Sequence, residues 1–317
     1  MQSIKRIETL NLNDCPRNAV SRFWLNIVHD ALGEPIALPI VVLRGKQDGP
    51  TVGLTAAQHG DEVNGLPVIH RLIETTDTHK LKGAILCVLV VNVPAFKRNQ
   101  RFIGRMDINR VWPGLPDGNI NESFAHRFVE QVLRQCDYLI DLHTASFGRI
   151  NSLYVRANMD NDTCASMAQL QRPQIILHNP STDRTLRGTA MEMGIPSITV
   201  EIGNPQVFQP QLIRWTIGGI RRILVHLKML PKRKFVPVPK PIVCASSDWL
   251  FTSHGGLLTV LPDVTDKVMQ GECIARQTNI FGDLIQAYHA PYDGIVIGKS
   301  TNPVGQTGAR ILHLGRL

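Results

Sequence analysis

Two histidines and a glutamate carry the first sign of chemistry in this chain. His59 and Glu62, in AAQHGDE at 56–62, stand three apart across Gly60, close enough for both side chains to face one ion in a turn leaving a strand. His143, in IDLHTA at 140–145, supplies a third donor from elsewhere in the sequence. Two imidazoles and one carboxylate form the ligand set of a catalytic zinc site that keeps a position open for water. A structural site would close four ligands around the ion, usually with thiolates. One Zn2+ per chain is therefore expected, held by His59, Glu62 and His143. Zinc lowers the pKa of its water to about 7, so a neighbouring carboxylate can take the proton and pass it to a leaving nitrogen. Glu201, in TVEIG at 199–203, is the candidate, because a carboxylate ending the apolar run PSITV is costly to bury unless it faces a charge or a cleft. Asp141 lies two residues before His143, on the same face of a strand, where it can accept the N–H of a liganding histidine and fix its tautomer.

The elements that must position these groups read as α/β. Short β-rich apolar runs, PIVVLRG (39–45), TVGLTAA (51–57), AILCVLVV (84–91), YLIDLHT (138–144) and PSITVEI (196–202), alternate with amphipathic stretches at 122–135 and 211–230. Near-continuous apolar strands imply a sheet covered by helices on both faces. The candidate ligands fall at strand C-terminal ends, where open α/β sheets build their sites. The segment 230–241, LPKRKFVPVPKP, holds four prolines and cannot continue a helix, so it reads as a linker. It divides a catalytic domain, 1–235, from a C-terminal unit, 242–317, whose short β runs between glycines suggest a small all-β barrel or sandwich.

An arginine-rich loop, NVPAFKRNQRFIGRMDINRVWPG at 92–114, carries Arg98, Arg101, Arg105 and Arg110. Guanidinium forks match carboxylates and stabilise oxyanions, so this loop suits an anionic substrate. Taken in order, HGDE (59–62), NVPAF…R…DINRVWPG (92–114), DLHTA (141–145) and VEIG (200–203) resemble the succinylglutamate desuccinylase/aspartoacylase family of the zinc carboxypeptidase superfamily, and its predicted deacylases most of all. The resemblance implies a carboxypeptidase-like mixed sheet, a C-terminal β domain bordering the site, and hydrolysis of N-acyl amino acids to a carboxylic acid and a free amine. By the same resemblance His59, Glu62 and His143 are the zinc ligands and Glu201 the general base and acid. Arg101 matches the arginine that polarises the scissile carbonyl, and Asn109 with Arg110 the pair that grips the substrate carboxylate. Asn-Val-Pro stands at 92–94 where the family has Asn-Pro, and one extra residue separates Arg101 from DINR, which makes Arg105 the alternative to Arg101. Arg187, in TLRG, is a weaker candidate for the site.

Composition narrows the field. With 317 residues, 43% apolar, the chain can bury a conventional core. It has neither a bilayer-length apolar stretch nor a secretory apolar region, so a cytoplasmic location and no membrane partner are expected. Six dispersed cysteines without a CxxC pair fit a reduced compartment. The net charge of +8 concentrates only at 221–240, where a single phenylalanine, Phe235, falls short of an interleaved stacking series, and argues against nucleic acid as a partner. The expected partner is a small anionic N-acyl substrate, and homo-oligomerisation stays open. Two other readings compete. A zinc carboxypeptidase would use the same site on a peptide C-terminus, and a non-catalytic binding or carrier protein is suggested by 264–298, which looks like the biotinyl/lipoyl β fold. No lysine lies between Arg276 and Tyr288, where a modifiable tip is expected, so the segment reads as a lid or structural unit. The absence of GxSxG disfavours a serine hydrolase.

Overall fold

The computed structural model describes residues 4–102, 106–180 and 183–317. From the N-terminus come strands β1 (Lys5–Ile7), β2 (Ala19–His29), β3 (Pro35–Arg44) and β4 (Gln47–Ala56), helix α1 (Gly65–Thr75), β5 (Lys82–Val88) and the short α2 (Val93–Lys97). The middle supplies α3 (Ile120–Gln131), β6 (Tyr138–His143), β7 (Arg149–Asn151), β8 (Leu153–Ala157), α4 (Asp162–Gln171), β9 (Ile175–His178), α5 (Leu186–Glu192), β10 (Ser197–Ile202) and α6 (Pro210–His226). The remainder is strand: β11 (Ile242–Cys244), β12 (Ser246–Phe251), β13 (Gly256–Val260), β14 (Lys267–Val268), β15 (Cys273–Thr278), β16 (Leu284–His289), β17 (Gly294–Ser300), β18 (Val304–Gly305) and β19 (Arg310–Arg316).

Ten strands form one mixed sheet in the order β1-β2-β3-β5-β4-β6-β10-β8-β9-β11. Its centre, β5-β4-β6-β10, is parallel. Period-2 alternation along these strands feeds two cores. Val52, Leu54, Ile140 and Leu142 pack under α1, α4 and α6, while Leu86, Val88 and Leu139 pack with Phe124 and Phe128 of α3 and Leu186 of α5 on the other face. Burial on both sides is why these strands are almost wholly apolar. Asn119 and Glu122 close a capping box, which starts α3 two residues before the apolar periodicity does. α6 ends at His226 rather than 230, and Lys228 beyond it is left-handed (φ 59°).

The C-terminal strands make two small antiparallel sheets, β12-β19-β17-β14 and β16-β15-β13-β18, around a core that includes Val296, Ile311 and Leu314. Two strands cross the boundary drawn from composition. β11, assigned by sequence to the C-terminal unit, pairs in parallel with β9 of the large sheet, and β7 pairs with β17. The prolines mark where helix stops, but pairing partners decide which sheet a strand joins. Among the described residues, no helix is long and apolar enough to cross a membrane.

Candidate active site

The site lies where β4, β6 and β10 end side by side. Ala57, just past β4, takes a left-handed conformation (φ 52°) unusual for a residue with a side chain and swings the chain away from the sheet. Gly60 then passes so close to α2 that a Cβ there would lie 2.1 Å from the carbonyl carbon of Ala95. Only glycine lets the turn between His59 and Glu62 pack so tightly. His143 is the last residue of β6, and Glu201 on β10 stands opposite it in the parallel register.

The structure brings His59, Glu62 and His143 together, with one donor atom of each within 4.8 Å of the others, all buried. His59 Nδ1 is 2.7 Å from Glu62 Oε1, and His143 Nδ1 is 2.8 Å from Glu62 Oε2. Each imidazole has its outer nitrogen on a further carboxylate: His143 Nε2 is 2.8 Å from Asp141 Oδ2, and His59 Nε2 is 3.0 Å from Asp107 Oδ1. Asp141 is itself held, accepting from Thr55 Oγ1 (2.6 Å) and Gln58 Nε2 (2.7 Å), while Gln58 accepts from the buried Trp112 indole (3.2 Å). Two imidazoles and a carboxylate, with both rings oriented from behind by carboxylates, fit a catalytic zinc ion.

Electrostatics follow from burial and pairing. Burial alone would raise the Glu62 carboxyl, but His59 and His143 beside it hold it well below the usual range. Burial would lower His143, yet Asp141 and then Glu62 leave it well above the ordinary histidine value. Glu201 behaves differently. Burial raises it, and His143 and Arg156 offset only part of that rise. Its Oε2 accepts from Asn151 Nδ2 at 3.2 Å and its Oε1 lies 3.8 Å from Arg156 Nε.

Arg101 reaches the same cluster. Its Nη2 donates to Asp107 Oδ2 (2.8 Å), and its Nη1 meets Glu62 Oε1 (3.3 Å) and the Ser146 hydroxyl. Asn109 gives its Oδ1 to the N–H of Leu186 at the start of α5 (3.0 Å), which leaves its amide nitrogen for the cleft. Arg110 is exposed on the cleft wall, donating to the Asn109 carbonyl. Arg187 also lines the cleft but is buried and bound to Asn179. Arg98 does not reach it, and Arg105 lies outside the described residues.

These groups line a cleft of about 970 Å³ that also receives side chains no local motif announced. Arg149 and Arg310 approach the Trp249 ring to 5.7 and 5.1 Å, and His313 stacks on the same indole at 4.8 Å. Trp249 and Arg310 come from β12 and β19, so the C-terminal sheets form part of the wall. Asp107 could have been found as the first residue of DINR. Asn151 and Arg156 could not, because only strand register places them beside Glu201.

The model of the succinylglutamate desuccinylase/aspartoacylase catalytic domain matches residues 48–227. The chain is 27% identical over 281 residues to the N-alpha-acetyl-L-2,4-diaminobutyric acid deacetylase of Halomonas elongata, covering 83% of this chain and 81% of that one. It is 28% identical over 187 residues to the succinylglutamate desuccinylase of Pseudomonas paraeruginosa, covering 54% and 56%. Among solved structures, the product-bound ectoine utilization protein of Ruegeria pomeroyi superposes with a TM-score of 0.84 at 23% identity over 96% of this chain and 98% of that one. A succinylglutamate desuccinylase/aspartoacylase of Rhodobacter sphaeroides gives 0.83 at 19% identity, over 98% and 100%. At these identities the structural likeness speaks for the fold alone.

Proposed function

The chain belongs to the succinylglutamate desuccinylase/aspartoacylase family, and from that premise we propose that it is a zinc-dependent hydrolase that cleaves the amide bond of a small N-acylated amino acid or related acylated amine. The observation that carries this reading is the convergence of His59, Glu62 and His143, each imidazole backed by a carboxylate, beside Glu201, whose pKa burial raises. Both curated relatives quoted above, a deacetylase and a desuccinylase, are named for removing an acyl group from an amino acid.

His59, Glu62 and His143 would hold the ion. When bound, zinc supplies a Lewis acid that polarises the amide carbonyl and makes water acidic enough to react near neutral pH. Glu201 takes one proton from the attacking water as the new C–O bond forms, then delivers it to the nitrogen as the C–N bond breaks, giving a carboxylic acid and an amine. Its raised pKa suits a group that must both accept and release that proton. Asn151 and Arg156 hold the carboxylate in place. Arg101, fixed at Nη2 by Asp107, offers Nη1 to the carbonyl oxygen as negative charge grows there.

The substrate is anionic in this reading. Arg110, Arg149 and Arg310 line the cleft, and among the described residues none of them has a carboxylate within ion-pairing distance. Asn109 Nδ2 and Arg110 are assigned to the substrate carboxylate. We also assign the chemistry to 1–235 and the outer wall to 242–317, which closes the cleft around small molecules through Trp249 and Arg310.

The test is a panel of N-acetyl, N-succinyl and longer N-acyl amino acids, with amine release as the readout, run on the wild type and on Glu201→Gln. The variant is expected to bind zinc and lose about 100-fold or more in kcat. Near-normal turnover would remove Glu201 from the chemistry.

A further inference from the structure

Away from the cleft, the middle of α6, the turn after α4 and the extended stretch near 233–242 enclose a groove of about 490 Å³. Its composition is one-sided. Arg172, Arg214, Arg221, Arg222 and Arg233 line it together with two lysines, and among the described residues no aspartate or glutamate does. The hydrogen bonds these guanidiniums make go to neutral acceptors: Arg214 to Gln211 Oε1 (2.7 Å), Arg222 to the Val236 carbonyl (3.3 Å) and Arg221 to the Thr75 hydroxyl. Arg222 and Arg233 also flank the Phe235 ring, at 5.0 and 5.5 Å. Burial, then repulsion from Arg233 and Arg71, lowers the Arg221 pKa; burial and Arg172 do the same to Arg222. A set of crowded cations without a counter-charge is a standing electrostatic cost that a bound anion would remove.

The floor of the groove points to a flat group rather than a bare anion. Trp215 and Gly218 lie one helical turn apart on the α6 face that lines it. Gly219 is needed for packing, since a Cβ there would lie 2.4 Å from the Gln171 side chain. Gly218 is not: its Cβ would meet only the movable Arg222 Nη1, at 3.5 Å. A glycine inside a helix destabilises it relative to alanine, and nothing within the fold calls for this one. It leaves helix backbone uncovered beside an exposed indole, a surface that suits a planar ring.

We propose that this groove binds a nucleoside polyphosphate, its base on Gly218 beside Trp215 and its phosphates among the α6 and linker arginines. Five guanidiniums exceed what one carboxylate can neutralise, and the guanidinium fork matches phosphate oxygens two at a time. The volume lies in the range of small-ligand sites.

The test uses the zinc-loaded full chain and two probes, ATP and inorganic tripolyphosphate, with calorimetry and tryptophan fluorescence as readouts. ATP is expected to bind one per chain, more tightly than tripolyphosphate, and to quench fluorescence in the wild type but not in Trp215→Phe. Arg222→Gln should weaken both probes about 10-fold while leaving amide hydrolysis unchanged. Gly218→Leu should weaken ATP about 10-fold and leave tripolyphosphate unaffected. Three results would overturn the proposal. One is equal binding of the two probes with no effect of Gly218→Leu, which would leave only a generic cationic patch. Another is ATP binding that competes with the amide substrate and ignores Arg222→Gln, which would put the anion in the catalytic cleft. The third is saturable binding of a short single-stranded RNA with none of ATP.

Discussion

Gly298 on β17 lies outside every motif that carries a candidate catalytic residue, yet the structure makes it answerable for Glu201. It pairs with Asn151, whose Nδ2 donates to Glu201 Oε2 at 3.2 Å. A Cβ at position 298 would fall 2.3 Å from Asn151 Oδ1, 2.9 Å from the Ile150 carbonyl oxygen and 3.3 Å from Asn151 Cγ. Gly298 is not in the left-handed region, so alanine would be strained by contact and not by backbone conformation. Two responses are open to Gly298→Ala. If the Asn151 side chain turns away, the hydrogen bond to a charged acceptor goes with it, worth about 1.5–3 kcal/mol, or roughly 10- to 150-fold in kcat. If β7 moves off β17 instead, the cost appears as overpacking, about 1–3 kcal/mol of stability. A double-mutant cycle with Asn151→Ala separates the two, with kcat from amine release and stability from urea unfolding. Asn151→Ala removes the 2.3 Å contact and already forfeits the hydrogen bond. Gly298→Ala should therefore reduce kcat in the wild type and add little in the Asn151→Ala background, with a coupling of at least ~1 kcal/mol. A residual stability cost from Ile150 should persist in both. Equal effects of Gly298→Ala on kcat with and without the Asn151 amide would refute the link between the C-terminal sheet and the base.

Two further predictions concern the groups behind the site. Asp141 accepts from Thr55 at Oδ1 and from Gln58 and His143 at Oδ2, so Asp141→Asn keeps the shape but removes the negative charge behind His143; zinc affinity, measured by competition with a chromophoric chelator, should fall about 10- to 100-fold, and unchanged affinity would contradict the assigned role. His313 is held neutral first by burial and then by Arg156, Arg149 and Arg310, so its folded pKa lies well below its unfolded value of about 6.5. The unfolded chain then takes up the proton first, and stability present above that pH is lost as the pH falls below it. Between pH 7.5 and 5.5 the wild type should lose about 1.4 kcal/mol more than His313→Phe in urea unfolding, and parallel losses would show that His313 does not titrate as argued.

How much of this was legible in the sequence depended on how local each signal was. His59, Glu62, His143 and Glu201 stood out because each is a polar residue at or just beyond the end of a buried apolar strand, a placement the hydrophobic effect does not favour by itself. Asp141 followed from the two-residue period of the same strand. The central parallel strands were readable because both of their faces are covered. β2 was not, since its half-buried pattern from Ala19 to His29 mixes polar and apolar residues, as does that of a sheet near its edge. Asn151, Arg156, Trp249 and Arg310 reach the cleft only through pairings between distant strands, which no spacing in the chain records. The Asn109 side chain was read as a substrate contact from its motif, and half of it turns out to hold the start of α5.

In the proposed mechanism, amide hydrolysis depends on one zinc ion bound by His59, Glu62 and His143. This dependence is tested most directly by titrating zinc into metal-stripped protein while following amine release from an N-acyl amino acid that the wild type cleaves. No hydrolysis is expected without metal, with activity rising in proportion to zinc and saturating at one ion per chain. Full activity in the metal-free protein would contradict it.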